Sequence, residues 1–197
     1  MEIASLPQPA MTELDYLRIE RAATSKSEFH DGQMLAMPGG SYRHSRLSVR
    51  LTALLEQKVP AGCATFNSDL RIKVNAAGLY TYADGGVVRG EPQFADGEHD
   101  ALLNPMLIIE VLSPSSTHYD RGGKFELYRT IESFCEYLVV HQDRPRIEYH
   151  SRQPDGSWLL REHLAEDAVL CVDRLQLSLP LSEIYSRLDS RRRYLAE

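Results

Sequence analysis

Cysteine is scarce in this chain of 197 residues: Cys63, Cys135 and Cys171 are odd in number, widely spaced and form no CxxC pair. That pattern excludes a disulfide framework and a structural zinc cluster, and leaves three buried thiols as the expectation. No tandem histidine pattern offers another metal site of that kind. Long hydrophobic runs are missing as well, and no apolar stretch approaches the length of a membrane span. Met1 to Ala10 lacks the basic start and apolar stretch of a signal peptide, so the expected compartment is the cytoplasm. There is no G-x-S-x-G and no cysteine beside a base motif, which removes the usual covalent hydrolases. No repeat, low-complexity block or Pro/Gly-rich linker divides the chain. The remaining composition, 43% hydrophobic and 25% charged, is that of a globular protein. One domain over residues 11–190 is expected, with a short tail at 1–10 and a basic tail at 191–197.

Net positive charge is also lacking. A formal charge of −6 argues against a large nucleic-acid footprint, which usually rides on a basic surface. Clustered acids at a metal site contribute to such a deficit, and a bound cation restores positive charge locally. Basic residues do gather in two places: Arg43, Arg46 and Arg50 share one predicted helix, and Arg191-Arg192-Arg193 lie near the end. Solubilising surface accounts for both groups, and for the terminal triplet it is the preferred reading.

What is present reads as alternating helices and strands. Thr12-Glu13-Leu14-Asp15 opens a short helix through about Arg21. Asp31-Gly32 joins Lys26–His30 to Gln33–Met37 as a two-residue hairpin. Pro38-Gly39-Gly40-Ser41 then leads into a helix from about Tyr42 to Lys58, with Leu47, Leu51, Leu54 and Leu55 on one face. Leu70, Ile72 and Val74 alternate with Arg71 and Lys73, which predicts a strand with one wet face. Tyr80–Asp84 and Gly86–Arg89 are expected to continue the same sheet, and Glu91–Asp100 to form an acidic surface loop. Met106–Leu112 is apolar enough for a central strand, as is Glu136–His141. A turn at Asp143-Arg144-Pro145 returns the chain through Arg146–Tyr149. Short strands around Trp158 and Leu175–Leu179 precede a helix starting near Ser182. The sum is an α/β domain built around one mixed sheet flanked by helices.

Two acids and a lysine stand out against this frame. Glu110 lies inside the most apolar run, and burying an unpaired carboxylate costs several kcal/mol or forces it to take a proton. It therefore needs a partner: a divalent metal shared with a second carboxylate, a nearby ammonium, or a buried salt bridge. Asp84, after the strand-like Leu79–Tyr82, is the candidate second carboxylate, although an aspartate before Gly85-Gly86 equally suits a turn. Lys124 opens a helix behind Gly122-Gly123, with Tyr128 one turn on along the same face. On spacing alone it reads as a solvated charge. Glu28, on a hairpin arm, reads as an exposed acid, and His44 beside Arg43 as a helix-start histidine able to meet phosphate.

These pieces together resemble the Uma-type putative restriction endonuclease family, within the PD-(D/E)XK nuclease superfamily. The matching segments are Lys26–Gly32, Met37-Pro38-Gly39-Gly40 with His44, Ser68–Arg71, Tyr82-Ala83-Asp84, Asn104-Pro105 leading to Glu110–Ser115, Tyr119–Lys124, and Glu136-Tyr137. Their order covers about Leu14 to Tyr185. The resemblance implies a restriction endonuclease-like core with a mixed central β-sheet, and places Asp84 and Glu110 as metal ligands, helped by the Val111 backbone carbonyl. Two residues beyond Glu110 stands Leu112 where the superfamily carries lysine. The family supplies the lysine from the following helix, which points here to Lys124. Glu28 matches an early acidic residue of some superfamily members. Ala83 replaces the usual proline, a difference of backbone shape rather than chemistry.

The expectation is a Mg²⁺- or Mn²⁺-dependent endonuclease acting on DNA, with Asp84, Glu110, Lys124 and Glu28 catalytic and His44, Arg43 and Tyr128 near the substrate. Nucleases that cut both strands often pair two copies of one site, so a homodimer is implied. The strand-like segment Cys171–Leu179 is the candidate contact. The rival reading is an inert binding or scaffold module that keeps the fold, supported by the acidic charge and the lack of a separate DNA-reading domain.

Overall fold

The computed structural model describes residues 11–113, 119–186 and 188. The N-terminal helix α1 (Glu13–Ala22) is capped by Thr12, whose hydroxyl oxygen accepts the Asp15 N–H at 3.1 Å. It buries Tyr16, Leu17 and Glu20. Strands β1 (Ser27–His30) and β2 (Gln33–Ala36) pair Ser27 with Ala36 and His30 with Gln33. Asp31 and Gly32 both take positive φ, 50° and 74°, as the mirror-image turn of a two-residue hairpin requires. Helix α2 (Tyr42–Glu56) starts at Ser41, which caps the His44 N–H at 3.1 Å. Leu47, Leu51 and Leu55 are fully buried along it, and Leu54 packs at their edge.

The strands after α2 are β3 (Cys63–Asn67), β4 (Arg71–Val74), β5 (Leu79–Tyr82), β6 (Gly85–Arg89), β7 (Ala101–Leu102) and β8 (Pro105–Leu112). Then come β9 (Glu136–His141), β10 (Arg146–Arg152) and β11 (Trp158–Leu164), followed by a hairpin of β12 (Val169–Val172) and β13 (Leu177–Pro180). Helix α3 (Phe125–Tyr128) follows a wide π-type turn at Asp120–Lys124, and α4 (Leu181–Ile184) follows β13.

The mixed α/β architecture stands, but its strands divide between sheets rather than continuing in one. The two larger sheets have the orders β2-β1-β5-β4-β7 and β11-β10-β9-β8-β6-β3, and β12 and β13 pair in a small third. The expected continuation from Tyr82 into Gly86 is instead a crossing between sheets at Ala83-Asp84. Two glycines make the crossing feasible. A Cβ at Gly86 would lie 2.4 Å from the Leu107 carbonyl oxygen, and one at Gly85 would lie 2.8 Å from the Thr52 hydroxyl. Gly85-Gly86 is therefore a strand start pressed between β8, β3 and α2, not merely a turn signal.

Strand β8 sits at the centre, antiparallel to β6 and parallel to β9, with all eight of its residues buried. Leu107, Ile109 and Val111 join the core under α2, while Ile108 and Leu112 join the aromatic cluster of Tyr128, Phe134 and Tyr137. The period of two puts Glu110 on that second face.

Three expectations change. The wet face of β4 is not wet: Arg71 is buried and its guanidinium meets Asp100, while Lys73 reaches Glu13 at 2.8 Å. The three thiols are free, but Cys63 and Cys135 are half-buried and Cys171 is exposed. The segment Cys171–Leu179, expected to be exposed, turns Val172, Leu175, Leu177 and Leu179 into the core and leaves Cys171, Asp173, Arg174, Gln176 and Ser178 exposed. Pro114 and Ser115 of the matched motif, the tails at 1–10 and 191–197, and the arginine triplet lie outside the described residues. No helix among the described residues is long and apolar enough to cross a membrane.

Candidate active site

Asp84 sits where the chain leaves one sheet for the other, and its backbone and one carboxylate oxygen are anchored. Its N–H donates to the Ile109 carbonyl at 3.0 Å, and its own carbonyl accepts the Ser48 hydroxyl at 2.9 Å. Its Oδ2 accepts the Val111 N–H at 2.7 Å and faces His44 Nε2 at 3.2 Å. Strand β6 begins at Gly85, opposite Ile109, so Val111 lies past its end and the carboxylate takes the place of a strand partner. That hydrogen bond fixes Asp84 beside the residue after Glu110.

The Asp84 hydrogen bond, opposed by burial and aided by the Val111 backbone, raises the pKa of His44. Gly40 lies against the imidazole so closely that a Cβ there would stand 2.7 Å from Nδ1. The Pro38-Gly39-Gly40 motif thus reads as a backbone that passes over His44.

Glu110 and Lys124 are both buried, and they meet. Glu110 Oε1 accepts the Tyr128 hydroxyl at 3.0 Å and Lys124 Nζ at 3.3 Å. Lys124 also reaches Glu28 at 2.8 Å, Asp120 at 3.7 Å and the Tyr82 carbonyl at 3.3 Å. Glu28 Oε1 further accepts the Thr81 hydroxyl at 2.5 Å. Burial pushes the Glu110 carboxyl well up, against the pull of Lys124 and with the push of Asp120, Asp84 and Glu28. For Lys124, burial works against the charge, but Glu110, Glu28 and Asp120 outweigh it and hold the ammonium well above its ordinary value. These carboxylates favour the charged form of Lys124.

A cleft of about 270 Å³ opens over this cluster, lined among others by His44, Asp84, Glu110, Val111, Asp120 and Lys124. The remaining sequence candidates stand around it. Glu28 supports Lys124 from the hairpin side. Tyr128 is fully buried and spends its hydroxyl on Glu110, so it faces the carboxylate rather than a substrate. Arg43 lines the neighbouring depression and donates through Nε to the Gln142 carbonyl at 2.8 Å.

Two participants went unassigned in the sequence. Asp120 is four residues before Lys124, a spacing that puts both on one side of the turn, and Tyr137 pins its carbonyl at 2.8 Å. Gln142 has no sequence signal at all. Its side chain accepts the Ser41 hydroxyl at 2.5 Å and donates to the Leu112 carbonyl at 2.8 Å. It clasps the start of α2 to the ends of β8 and β9.

Among the described residues, no three His, Cys, Asp or Glu side chains form a group that could hold a metal by themselves. The donors facing the cleft still fit a hard cation of modest demands. Asp84, Glu110 and a backbone carbonyl are oxygen donors, and Mg²⁺ commonly takes one or two carboxylates and fills its shell with water. Charge points the same way. Asp84, Glu110, Asp120 and Glu28 bring four carboxylates against Lys124 and, when protonated, His44.

The comparisons agree with this frame. A crystal structure of "a putative nuclease belonging to DUF820" from Anabaena variabilis superposes with a TM-score of 0.72 over 89% of this chain and 97% of that one. At 17% identity, that likeness establishes a shared fold. Two proteins of Synechocystis sp. are closer in sequence. The uncharacterized protein sll1609 is 38% identical over 80% of this chain and 90% of its own length, and slr1290 is 37% identical over 93% and 96%. The Uma2 model, described as "Putative restriction endonuclease", matches residues 14–182, a span that holds Glu28, His44, Asp84, Glu110 and Lys124 alike. By that match this chain belongs to the Uma2 family.

Proposed function

We propose that this protein is a divalent-metal-dependent DNA endonuclease that hydrolyses phosphodiester bonds at the Asp84–Glu110–Lys124 cleft. One observation carries the reading. Lys124 arrives from the turn after β8 to meet Glu110, while Asp84 is held one hydrogen bond away on Val111. The absence of a lysine at position 112 is offset in this reading by Lys124, which reaches Glu110 from another element.

Asp84, Glu110 and the Val111 carbonyl are the groups that would hold Mg²⁺ or Mn²⁺. Such an ion supplies Lewis acidity and positive charge at the scissile phosphate. Lys124 keeps its proton, so its part is to orient the attacking water by donation and to offset charge that develops on the phosphate. Glu28 and Thr81 fix the ammonium, and Tyr128 fixes the Glu110 carboxylate. His44 stands at the mouth, next to Asp84, where an imidazolium meets an incoming phosphate oxygen. Cleavage of both strands calls for two copies of the site, and a homodimer belongs to this reading. A monomer by light scattering at high concentration would remove that part alone.

The direct test is plasmid cleavage with Mg²⁺ or Mn²⁺, comparing the parent with Asp84→Asn purified identically. Metal-dependent nicking that disappears in the variant supports the assignment. Equal cleavage by both proteins means the activity resides elsewhere or is a contaminant. A parent with no cleavage and no metal response favours the inert module.

A further inference from the structure

Gln142 follows β9 directly, past the last pairing of β8 with β9 at Leu112 and His141. Backbone groups at a strand's end need partners from elsewhere, and this side chain supplies one. Its Nε2 donates to the Leu112 carbonyl at 2.8 Å, and its Oε1 accepts the Ser41 hydroxyl at 2.5 Å. The amide has no choice of orientation: a carbonyl only accepts, so Leu112 takes the NH₂ group and leaves the oxygen to Ser41. The backbone carbonyl of Gln142 meets the same helix start, accepting Arg43 Nε at 2.8 Å.

These contacts close a circuit around the cleft. Ser41 accepts the His44 N–H at 3.1 Å, the His44 ring faces Asp84 Oδ2 at 3.2 Å, and the same oxygen accepts the Val111 N–H at 2.7 Å. Val111 is bonded to Leu112, where the circuit began. Ser41, His44, Asp84, Val111 and Gln142 all line the cleft. The chain itself gives the helix start little stiffness, because α2 is entered through Pro38-Gly39-Gly40 and glycines carry little torsional restraint. The tie from Ser41 to Gln142 supplies the restraint that this stretch lacks. On the strand side, the Val111 carbonyl lies between the anchored Val111 N–H and the anchored Leu112 carbonyl, so its direction is held from both sides.

We infer that Gln142 is a positioning residue for the cleft: through Ser41 it places the His44 ring against Asp84, and through Leu112 it directs the Val111 carbonyl. It acts through these groups and not at the reacting atoms. Its effect on turnover rests on the nuclease reading above; its placement of His44 rests on the circuit alone. The consequence is geometric. His44 and Val111 belong to different elements, a helix and a strand, and a misplacement of about 1 Å at a reacting centre is enough to cost about a hundredfold in rate. A clasp of neutral hydrogen bonds fixes their separation without adding charge to a cleft already crowded with carboxylates.

The test compares the parent with Gln142→Met, which keeps the bulk of the side chain and loses both of its hydrogen bonds. Ser41→Gly breaks the clasp from the other end, and glycine caps a helix nearly as well as serine. Should Gln142→Met fail to fold, Ser41→Gly reads the same contact. Ser41→Thr keeps both the cap and the hydroxyl. Gln153→Met is the control, because that glutamine donates to Ser151 in the β10–β11 hairpin. The first measurement is the NMR of isotope-labelled histidine rings in EDTA at one fixed pH, with His44 assigned by its loss in His44→Asn. The His44 signals should move in Gln142→Met and Ser41→Gly, and stay at the parent's position in Ser41→Thr and Gln153→Met. A purely stabilising contact would lower the melting temperature and leave the His44 signals of the folded protein in place. The second measurement is plasmid cleavage with Mg²⁺ or Mn²⁺, where Gln142→Met should lower kcat by about 10–100-fold with KM little changed. Ser41→Thr should cleave like the parent, and the Ser41→Gly/Gln142→Met double variant no worse than Gln142→Met. Unmoved His44 signals in the clasp variants, losses that add in the double variant, or a parental kcat in Gln142→Met would overturn the positioning role. The two readings fail separately. A parent without cleavage whose His44 signals move with the clasp loses the nuclease and keeps the clasp, and intact cleavage in Gln142→Met does the reverse.

Discussion

Glu110 and Glu136 lie on adjacent strands, are both buried, and both have their carboxyl pKa pushed up mainly by that burial. They differ in everything else. Glu136 accepts the Tyr149 hydroxyl at 2.6 Å and the Arg174 N–H at 2.7 Å, both neutral donors on one oxygen. Its Oε2 is buried without a hydrogen-bond partner among the described residues. Glu110 meets an ammonium, shares that ammonium with Glu28 and Asp120, and faces a cleft. Burial raises the cost of a carboxylate wherever it sits. Convergence of several ionisable groups on an opening separates a candidate active site from a costly fold element.

The largest effect expected from this contrast is on cleavage. Asp84→Asn and Glu110→Gln keep shape and remove charge, so each should lower metal-dependent nicking by about a hundredfold or more. Glu136→Gln should leave it unchanged. A plasmid assay on the three variants checks the contrast directly, and a Glu136→Gln defect as deep as that of Glu110→Gln would erase it.

Stability should follow the same division. Lys124→Met leaves three buried carboxylates without their shared cation, a change that costs about 3–5 kcal/mol when a buried pair is broken. Adding Glu110→Gln removes one of the stranded charges, and the double variant should recover part of the loss. Urea denaturation of the single and double variants measures the coupling, expected at about 0.5–3 kcal/mol for groups in one network. Strict additivity would mean that the two side chains do not act together. Removing Arg174's side chain offers the contrast at Glu136, because the bond there comes from the backbone and survives truncation.

Next in size is the response to metal. An ion bound only by the folded state stabilises it by about 2.7 kcal/mol at a hundredfold excess over its Kd. Millimolar Mg²⁺ or Mn²⁺ should raise the parent's melting temperature at low ionic strength, and Ca²⁺ should do so without supporting cleavage. Asp84→Asn should lose most of the shift and Glu136→Gln should keep it. A parent indifferent to every divalent ion would count against the metal reading and for the inert module.

How much of this was legible in the sequence depends on range. Local signals held: the Asp31-Gly32 turn, the Thr12 and Ser41 caps, and the leucine face of α2 all rest on neighbours within a turn or two. The apolar run of β8 announced its burial. What apolar patterning does not report is which partner a buried group finds. Arg71 alternates with Ile72 as a wet-face residue would, yet Asp100 draws it inside. Glu136 opens its own apolar run much as Glu110 interrupts one, and nothing local distinguishes them. Lys124 read as solvated on its spacing; only the family resemblance pointed to it, and the three carboxylates around it come from β1, β8 and its own turn. The division into two sheets was hidden because a glycine pair signals a turn before it signals a close backbone approach. The Ser41–Gln142 clasp spans a hundred residues of chain and leaves no periodic trace.

The smallest effect belongs to Glu136 itself. Its carboxyl titrates above the ordinary 4.5 because burial outweighs the help of Tyr149 and the Arg174 N–H. The folded protein therefore holds that proton more readily than the unfolded chain does. Between the ordinary value and the raised one, the native state binds more protons, so this group's contribution to stability falls as pH rises and levels off above the raised value. Glu136→Gln carries no proton to lose and should flatten that part of the profile. The amide keeps an oxygen for the Tyr149 hydroxyl and the Arg174 N–H, while its NH₂ group replaces an oxygen that had no partner. The two changes oppose one another, so the net difference at neutral pH should lie within about 1 kcal/mol, the scale of one neutral hydrogen bond. Melting curves of parent and variant should therefore lie closest at acidic pH, with the variant gaining on the parent as pH rises through the window. A constant offset at every pH would mean that Glu136 titrates alike in both states, and that burial without convergence leaves a carboxylate unperturbed.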